Sequence, residues 1–249
     1  MNERDYHDHH YETEAAGIQG SALFQRVHDR AARDFLRCTG AGRAHRMLSL
    51  GCGDGSIERR LAPHVGEILG LDISAVAIEQ AQAKGRASGL GNLSFVVWQP
   101  ENRSLQDLGQ FDVIAAFAFL HHLDDSTIRD MLLAARKALR PGGLFYSADP
   151  SRRRLIGLLI GLVRKTYDRY HSPDERELDP EALAALAVEA GFSRLANGYT
   201  DYFLGPLAWL APGTPNWLAG PLEAMDNLAL GVPLVRRYAS SFSLLARAS

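Results

Sequence analysis

Short, nearly continuous apolar runs alternate along this chain with stretches whose apolar residues recur at every third and fourth position. The first helical pattern covers 18–38, with Leu23, Val27, Ala31, Phe35 and Leu36 on one face. Residues 47–50 then read as a buried strand that runs into a glycine-rich turn, with a helix over 56–62 behind it. A second strand over 67–71 ends at Asp72. Ser74 is placed to cap the next helix, which carries Val76, Ile78 and Ala81. Residues 93–98 and 111–117 are the third and fourth strands. An amphipathic helix over 124–139 is expected to stop at Pro141, Gly142 and Gly143, and 144–148 is the fifth strand. Strands apolar on both faces, spaced by helices, predict a parallel sheet covered on both sides.

After Asp149 the rhythm changes. Arg152, Arg153 and Arg154 open an apolar helix expected over 152–170. A second helix, capped at Asp179 and Pro180, runs to Glu189 and closes at Gly191. Residues 192–203 and 240–246 predict an antiparallel hairpin. The insertion between them, 204–238, is rich in Pro, Gly, Leu and Trp and is too long and apolar for a passive loop. Three parts are expected: an N-terminal helical lid at 1–40, a ligand-binding core at 41–150, and 151–249. The last part completes the core and adds acceptor-lid insertions at 152–170 and 204–238.

Composition narrows the classes. With 249 residues and 46% hydrophobic content, the chain can bury one sizeable core. Its 27 basic and 29 acidic residues leave a net charge of -2, so no basic field points to a nucleic-acid partner. Cys38 and Cys52 have neither metal-ligand spacing nor enough partners for an oxidised framework. The polar N-terminus does not read as a secretory signal. The apolar run at 155–163 is shorter than the roughly 20 residues a bilayer requires. A cytoplasmic protein is expected. His7, His9 and His10 cluster, but no carboxylate or cysteine spacing completes a metal site, so no metal is expected.

The chemistry centres on Gly51, Cys52, Gly53, Asp54 and Gly55, between a strand and a helix. Glycines there let the backbone turn sharply and let a ligand approach the peptide plane. Asp72, at the end of the next strand, is placed to take the hydroxyls of a ribose. The dinucleotide fingerprint needs its third glycine one residue later than Gly55. The segments LSLGCGDG (48–55), LGLDIS (69–74), FDVIAAFAFLHHLDD (111–125) and LRPGGLF (139–145) together resemble, in order, the motifs of class I S-adenosylmethionine-dependent methyltransferases. The tail LDPEALAALAVEAGF (178–192) is similar to the segment before that family's sixth strand.

The resemblance implies a Rossmann-like α/β fold: a seven-stranded sheet, antiparallel last strand, helices on both faces, and here a C-terminal apolar insertion. It implies S-adenosyl-L-methionine as cofactor, held by Gly51, Cys52, Gly53, Gly55, Asp72, Ile73, Gln99, Pro100, Glu101 and Phe117, with Leu120 beside Phe117. Tyr6 and Tyr11 are expected to close over it. His121 and His122 follow the fourth strand and are the candidate catalytic residues; a purely structural role in that loop is the alternative reading. Two positions depart from the family: Ser49 and Gln99 stand where acids are usual. The expected reaction is methyl transfer to a small or lipid-like acceptor in a mostly apolar pocket, its few polar groups being His121, His122, Tyr167 or Tyr170. The basic flanks of 152–170 and the tryptophans Trp209 and Trp217 raise peripheral contact with an anionic membrane surface. Two other readings stay open at this stage: a non-catalytic ligand-binding protein on the same fold, and a nicotinamide-dependent oxidoreductase.

Overall fold

The computed structural model describes residues 8–9, 11–12, 20–100, 102–155 and 175–248. Tyr6, His7, His10, Glu101, Tyr167, Tyr170 and most of the helix expected over 152–170 lie outside the described residues.

Seven strands form one sheet. They are β1 (Arg46–Leu50), β2 (Glu67–Asp72), β3 (Leu93–Val97), β4 (Phe111–Phe117), β5 (Leu139–Pro150), β6 (Phe192–Thr200) and β7 (Ser241–Ala248). Their order is β3-β2-β1-β4-β5-β7-β6. β1 to β5 pair in parallel, and β7 runs antiparallel to both β5 and β6. The strand order reverses between β1 and β4, which opens a crevice at the carboxyl ends of those two strands.

Around the sheet lie α1 (Ala22–Thr39), α2 (Ser56–Leu61), α3 (Ala75–Ala87), α4 (Asp125–Ala138), α5 (Pro180–Glu189), α6 (Leu204–Leu210), α7 (Ala219–Leu230) and α8 (Pro233–Arg236). Side chains alternate between sheet faces along each strand. Leu48, Leu50, Ile114, Ala116 and Phe145 pack with Ile128, Leu132 and Leu183 of α4 and α5. Met47, Val113, Ala115 and Tyr146 pack with Phe35 and Leu61 of α1 and α2. Ser49 shares the second face and is fully buried. Short polar side chains start the helices: Ser74 accepts from Ala77 N, and Asp179 from the amides of Glu181 and Ala182. Each such cap contributes about 1 kcal/mol.

One junction differs from the sequence pattern. α4 ends at Ala138, and Leu139 already pairs with Phe111 as the first residue of β5. Pro141, Gly142 and Gly143 therefore sit inside the strand, at the register shift between Phe111 and Val113, and do not terminate the helix.

The insertion between β6 and β7 is helical and lies against α1. Leu23 and Phe24 pack with Leu204, Ala208 and Ala219, and the Phe24 ring meets Trp209 edge-on at 4.8 Å. Buried Asp226 of α7 accepts from the amides of Tyr202, Phe203 and Leu204, which ties α7 to the start of α6. Among the described residues no helix is long and apolar enough to cross a membrane.

Candidate cofactor and acceptor site

The turn after β1 is set by backbone conformation. Gly51, Gly53 and Gly55 have φ of 63°, 52° and 72°, where a Cβ is disfavoured. A Cβ on Gly51 would lie 2.3 Å from the Phe119 ring, and one on Gly53 would lie 2.2 Å from the Tyr11 hydroxyl. Asp72 closes the turn: Gly53 N donates to its Oδ2 at 2.8 Å, and Ser74 N to its Oδ1 at 2.9 Å. The N-terminal segment crosses here. Asp8 accepts from the Ser74 hydroxyl, and the Tyr11 carbonyl accepts from Gln80 at 2.9 Å. Cys52 is buried among Ile78, Ala81 and Phe95, and burial lifts its thiol well above the ordinary range. It fills space and is no nucleophile.

From this turn a cavity of about 340 Å³ runs toward the insertion. Gly51, Cys52, Gly53 and Phe117 line it from the ends of β1 and β4; Phe24, Trp209, Leu210 and Pro206 line it from α1 and the insertion. Its wall is mostly apolar but carries more charged groups than the sequence leads one to expect. His121, His122, Asp149, Arg154, Glu175 and Asp201 all contribute. The buried His121 ring places Nδ1 3.2 Å from Oδ1 of Asp149, at the end of β5. Its Nε2 lies 3.9 Å from Glu175, and His122 Nδ1 lies 3.8 Å from the same carboxylate. Ala118 and Asp201, both on this wall, are the described non-glycine residues with positive φ, at 47° and 42°. Such strain collects at functional sites.

Three titratable groups on the wall, buried Asp201 and Glu58 and half-buried His28, were not singled out by the sequence. Burial, joined by the repulsion of Asp226, lifts the Asp201 carboxyl to about 8. Burial lifts Glu58 to about 7 against the opposing bond from Ser49. Burial and then Arg60 lower His28 to about 4, so its imidazole is neutral at pH 7. Each is a polar residue in a polar or helical stretch, and only the packing of α1, α2 and the end of β6 reveals its burial.

The expected cofactor residues separate into two groups. Gly51, Cys52, Gly53 and Phe117 line the cavity, together with Tyr11. Asp72, Ile73, Gln99 and Pro100 lie at or just beyond the carboxyl ends of β2 and β3, outside the cavity wall. Gly55 is buried, and its space is taken by Phe95. Leu120 is a correction: it is fully buried in the core, and the neighbouring Phe119 packs on Gly51 instead.

Residues 48–145 match the methyltransferase domain family. A ubiquinone biosynthesis O-methyltransferase of Bordetella avium is 24% identical over 156 residues, covering 61% of this chain and 64% of that protein. The match thus spans a little under two thirds of the relative. The fold is shared with a magnesium protoporphyrin IX methyltransferase from Synechocystis, solved with bound SAH (TM-score 0.65, 17% identity, 99% and 98% of the two chains covered). It is also shared with the cyclopropane synthase MmaA2 of Mycobacterium tuberculosis (TM-score 0.67, 14% identity, 99% and 98% covered). Residues 48–145 thus match the methyltransferase domain, and the chain shares the class I methyltransferase fold. That family's cofactor is S-adenosylmethionine, and the residues present fit it. The turn is a cradle that a Cβ would fill, an acid ends the next strand, and the cavity starting at the turn is of ligand size.

Proposed function

We propose that this class I methyltransferase moves a methyl group from S-adenosylmethionine to the oxygen of a small or lipid-like hydroxyl compound, with His121 as general base. The observation that carries the reading is the buried His121–Asp149 pair on the same cavity wall as the glycine turn. The naming of relatives for O-methylation agrees with it. When bound, the cofactor supplies an electrophilic methyl group on a sulfonium. An ionised carboxylate only accepts, so Asp149 fixes the proton on Nδ1 and leaves the Nε2 lone pair available. His121 would take the proton of the acceptor hydroxyl on Nε2 as that oxygen is methylated. The imidazolium so formed lies between Asp149 and Glu175. Asp72 and the turn hold the nucleoside, and Tyr11, Trp209 and the insertion exclude water as lids.

Labelled methyl transfer to a panel of phenols, alcohols and amines tests this. Hydroxyl compounds should accept, and His121→Asn should slow transfer about 100-fold or more while cofactor affinity stays within about twofold. Amines accepting in place of hydroxyls would sink the reading. A second reading has its own observation: single ligand atoms of His121, His122 and Glu175 all lie within 4.8 Å of one another, close enough to hold a metal ion. In that case the cluster works as a Lewis acid on the acceptor hydroxyl. Transfer that a chelator abolishes and a divalent cation restores would favour it over the base. Peripheral membrane contact belongs to the same proposal, through exposed Trp217, Leu228 and Leu234 on the insertion. Liposome co-sedimentation of wild type but not of a triple serine variant is the expected result.

A further inference from the structure

The family's usual acid on β1 is absent here, and Ser49 holds its place. Ser49 is fully buried on the sheet face that α2 covers. The third residue of α2, Glu58, points back to it: Ser49 Oγ donates to Glu58 Oε1 at 2.5 Å. Glu58 is 2% exposed, and its second oxygen, Oε2, has no hydrogen-bond partner. It lines the cavity together with Gly51 and Gly53.

The neighbouring bases are turned elsewhere. Arg59 donates to the Asp54 carbonyl and to Ser56 Oγ, and Arg60 pairs with Asp29. His28, also on the cavity, is neutral at pH 7. A buried carboxyl with one bare oxygen is costly unless something charged or hydrogen-bonding meets it. Among the described residues Oε2 has no hydrogen-bond partner, and Glu58 lines the cavity.

We propose that Glu58 is the acid that meets the cationic methionine end of S-adenosylmethionine, with Ser49 as the residue that orients it. The acid has moved from strand to helix while still facing the same turn. The proposal rests on the cofactor reading above. The shared chemistry is a cation, either the α-ammonium or the sulfonium, and three ligands separate the two.

The test is calorimetric binding to wild type and Glu58→Gln, so it does not depend on turnover. S-adenosylmethionine carries both cations, S-adenosylhomocysteine only the ammonium, and 5′-methylthioadenosine neither. Glu58→Gln should weaken S-adenosylmethionine about tenfold or more, and 5′-methylthioadenosine less than about twofold. An equal loss for S-adenosylhomocysteine supports the proposal with the ammonium as partner. A loss confined to S-adenosylmethionine supports it with the sulfonium. No loss, or the same loss for all three ligands, overturns it. Wild type that binds none of the three overturns the cofactor reading and this proposal with it. If Glu58→Gln does not fold, Ser49→Ala carries the test: the same ligand ordering with a smaller loss is expected, and its absence overturns the proposal.

Discussion

The two ends of the cavity are built by different means. At the proposed cofactor end the backbone does most of the work: three glycines with positive φ, an amide held by Asp72, and a strand end. At the proposed acceptor end side chains do it, gathered from distant segments: Phe24 and His28 from α1, His121 after β4, Asp149 at the end of β5, Asp201 after β6 and Trp209 from α6. A backbone site tolerates change around it but not within it. A side-chain site can be remade one residue at a time, which suits a fold that serves many acceptors.

The largest effect should come from breaking the backbone end. A β-branched residue is poorly tolerated at φ 52°, and a Cβ on Gly53 points at Tyr11. Gly53→Val should cost more than about 100-fold in cofactor affinity, which is about 2.7 kcal/mol. Its circular dichroism spectrum should match wild type. Retained binding would mean that the turn does not face the ligand, and the contrast between the two ends would go with it.

The acceptor end should show itself in stability against pH. Asp201 is lifted to about 8, facing Asp226, Arg30, Arg154 and Asp34. A carboxyl whose folded value is raised stabilises the protein fully below its unfolded value near 4, and that contribution is lost as pH rises toward 8. Glu58, lifted to about 7, adds to the loss, while His28, lowered to about 4, opposes it by adding stability as pH rises toward 6.5. Thermal melts should therefore fall from pH 4 to 8, most steeply above about 6.5, where the His28 contribution is already complete. Asp201→Asn, whose amide also tolerates the left-handed backbone, should flatten the curve. A wild-type melting temperature that does not fall across this window would contradict the buried, uncompensated state of that wall.

What could be read from the sequence follows the same division. The turn was legible because its requirement is local: residues that must be glycine are written as glycine at fixed spacing. Asp72 was legible because it ends an apolar strand. Asp149 stands in the equivalent place at the end of β5, and the strand end was the signal that could have found it. Glu58 and Asp201 were not legible. Charged residues are exposed by default, and their burial exists only once α2 and the insertion pack down. The choice between Phe119 and Leu120 was hidden for a related reason. The chain turns at Ala118, with φ 47°, and that turn decides which of two adjacent apolar residues meets Gly51. The α4–β5 junction was misleading because Pro-Gly-Gly ordinarily stops a helix, whereas pairing of Leu139 with Phe111 begins the strand before it.

A smaller effect should follow from Asp72→Ala. Charge-assisted hydrogen bonds of this kind are worth about 1.5–3 kcal/mol, so cofactor affinity should fall about tenfold or more. Gly53 N also loses its acceptor, which loosens the turn itself. Unchanged affinity would remove Asp72 from the site and leave the backbone end defined by the glycines alone.

The smallest effect, and the sharpest test of the division, is Trp209→Ala. Trp209 lines the cavity and packs edge-on against Phe24, at the contact between the insertion and α1. It belongs to the side-chain part of the lining, contributed by the insertion. Truncation should therefore raise the KM for the acceptor several-fold, because a pocket wall is lost, while cofactor affinity changes less than about twofold. The aromatic pair itself contributes about 0.5–1.5 kcal/mol, so a modest drop in melting temperature should accompany the change. Calorimetry with S-adenosylmethionine next to steady-state kinetics separates the two ends in one variant. If cofactor affinity falls as far as acceptor binding, the insertion holds the whole cavity shut through α1, and the two ends do not behave as independent sites.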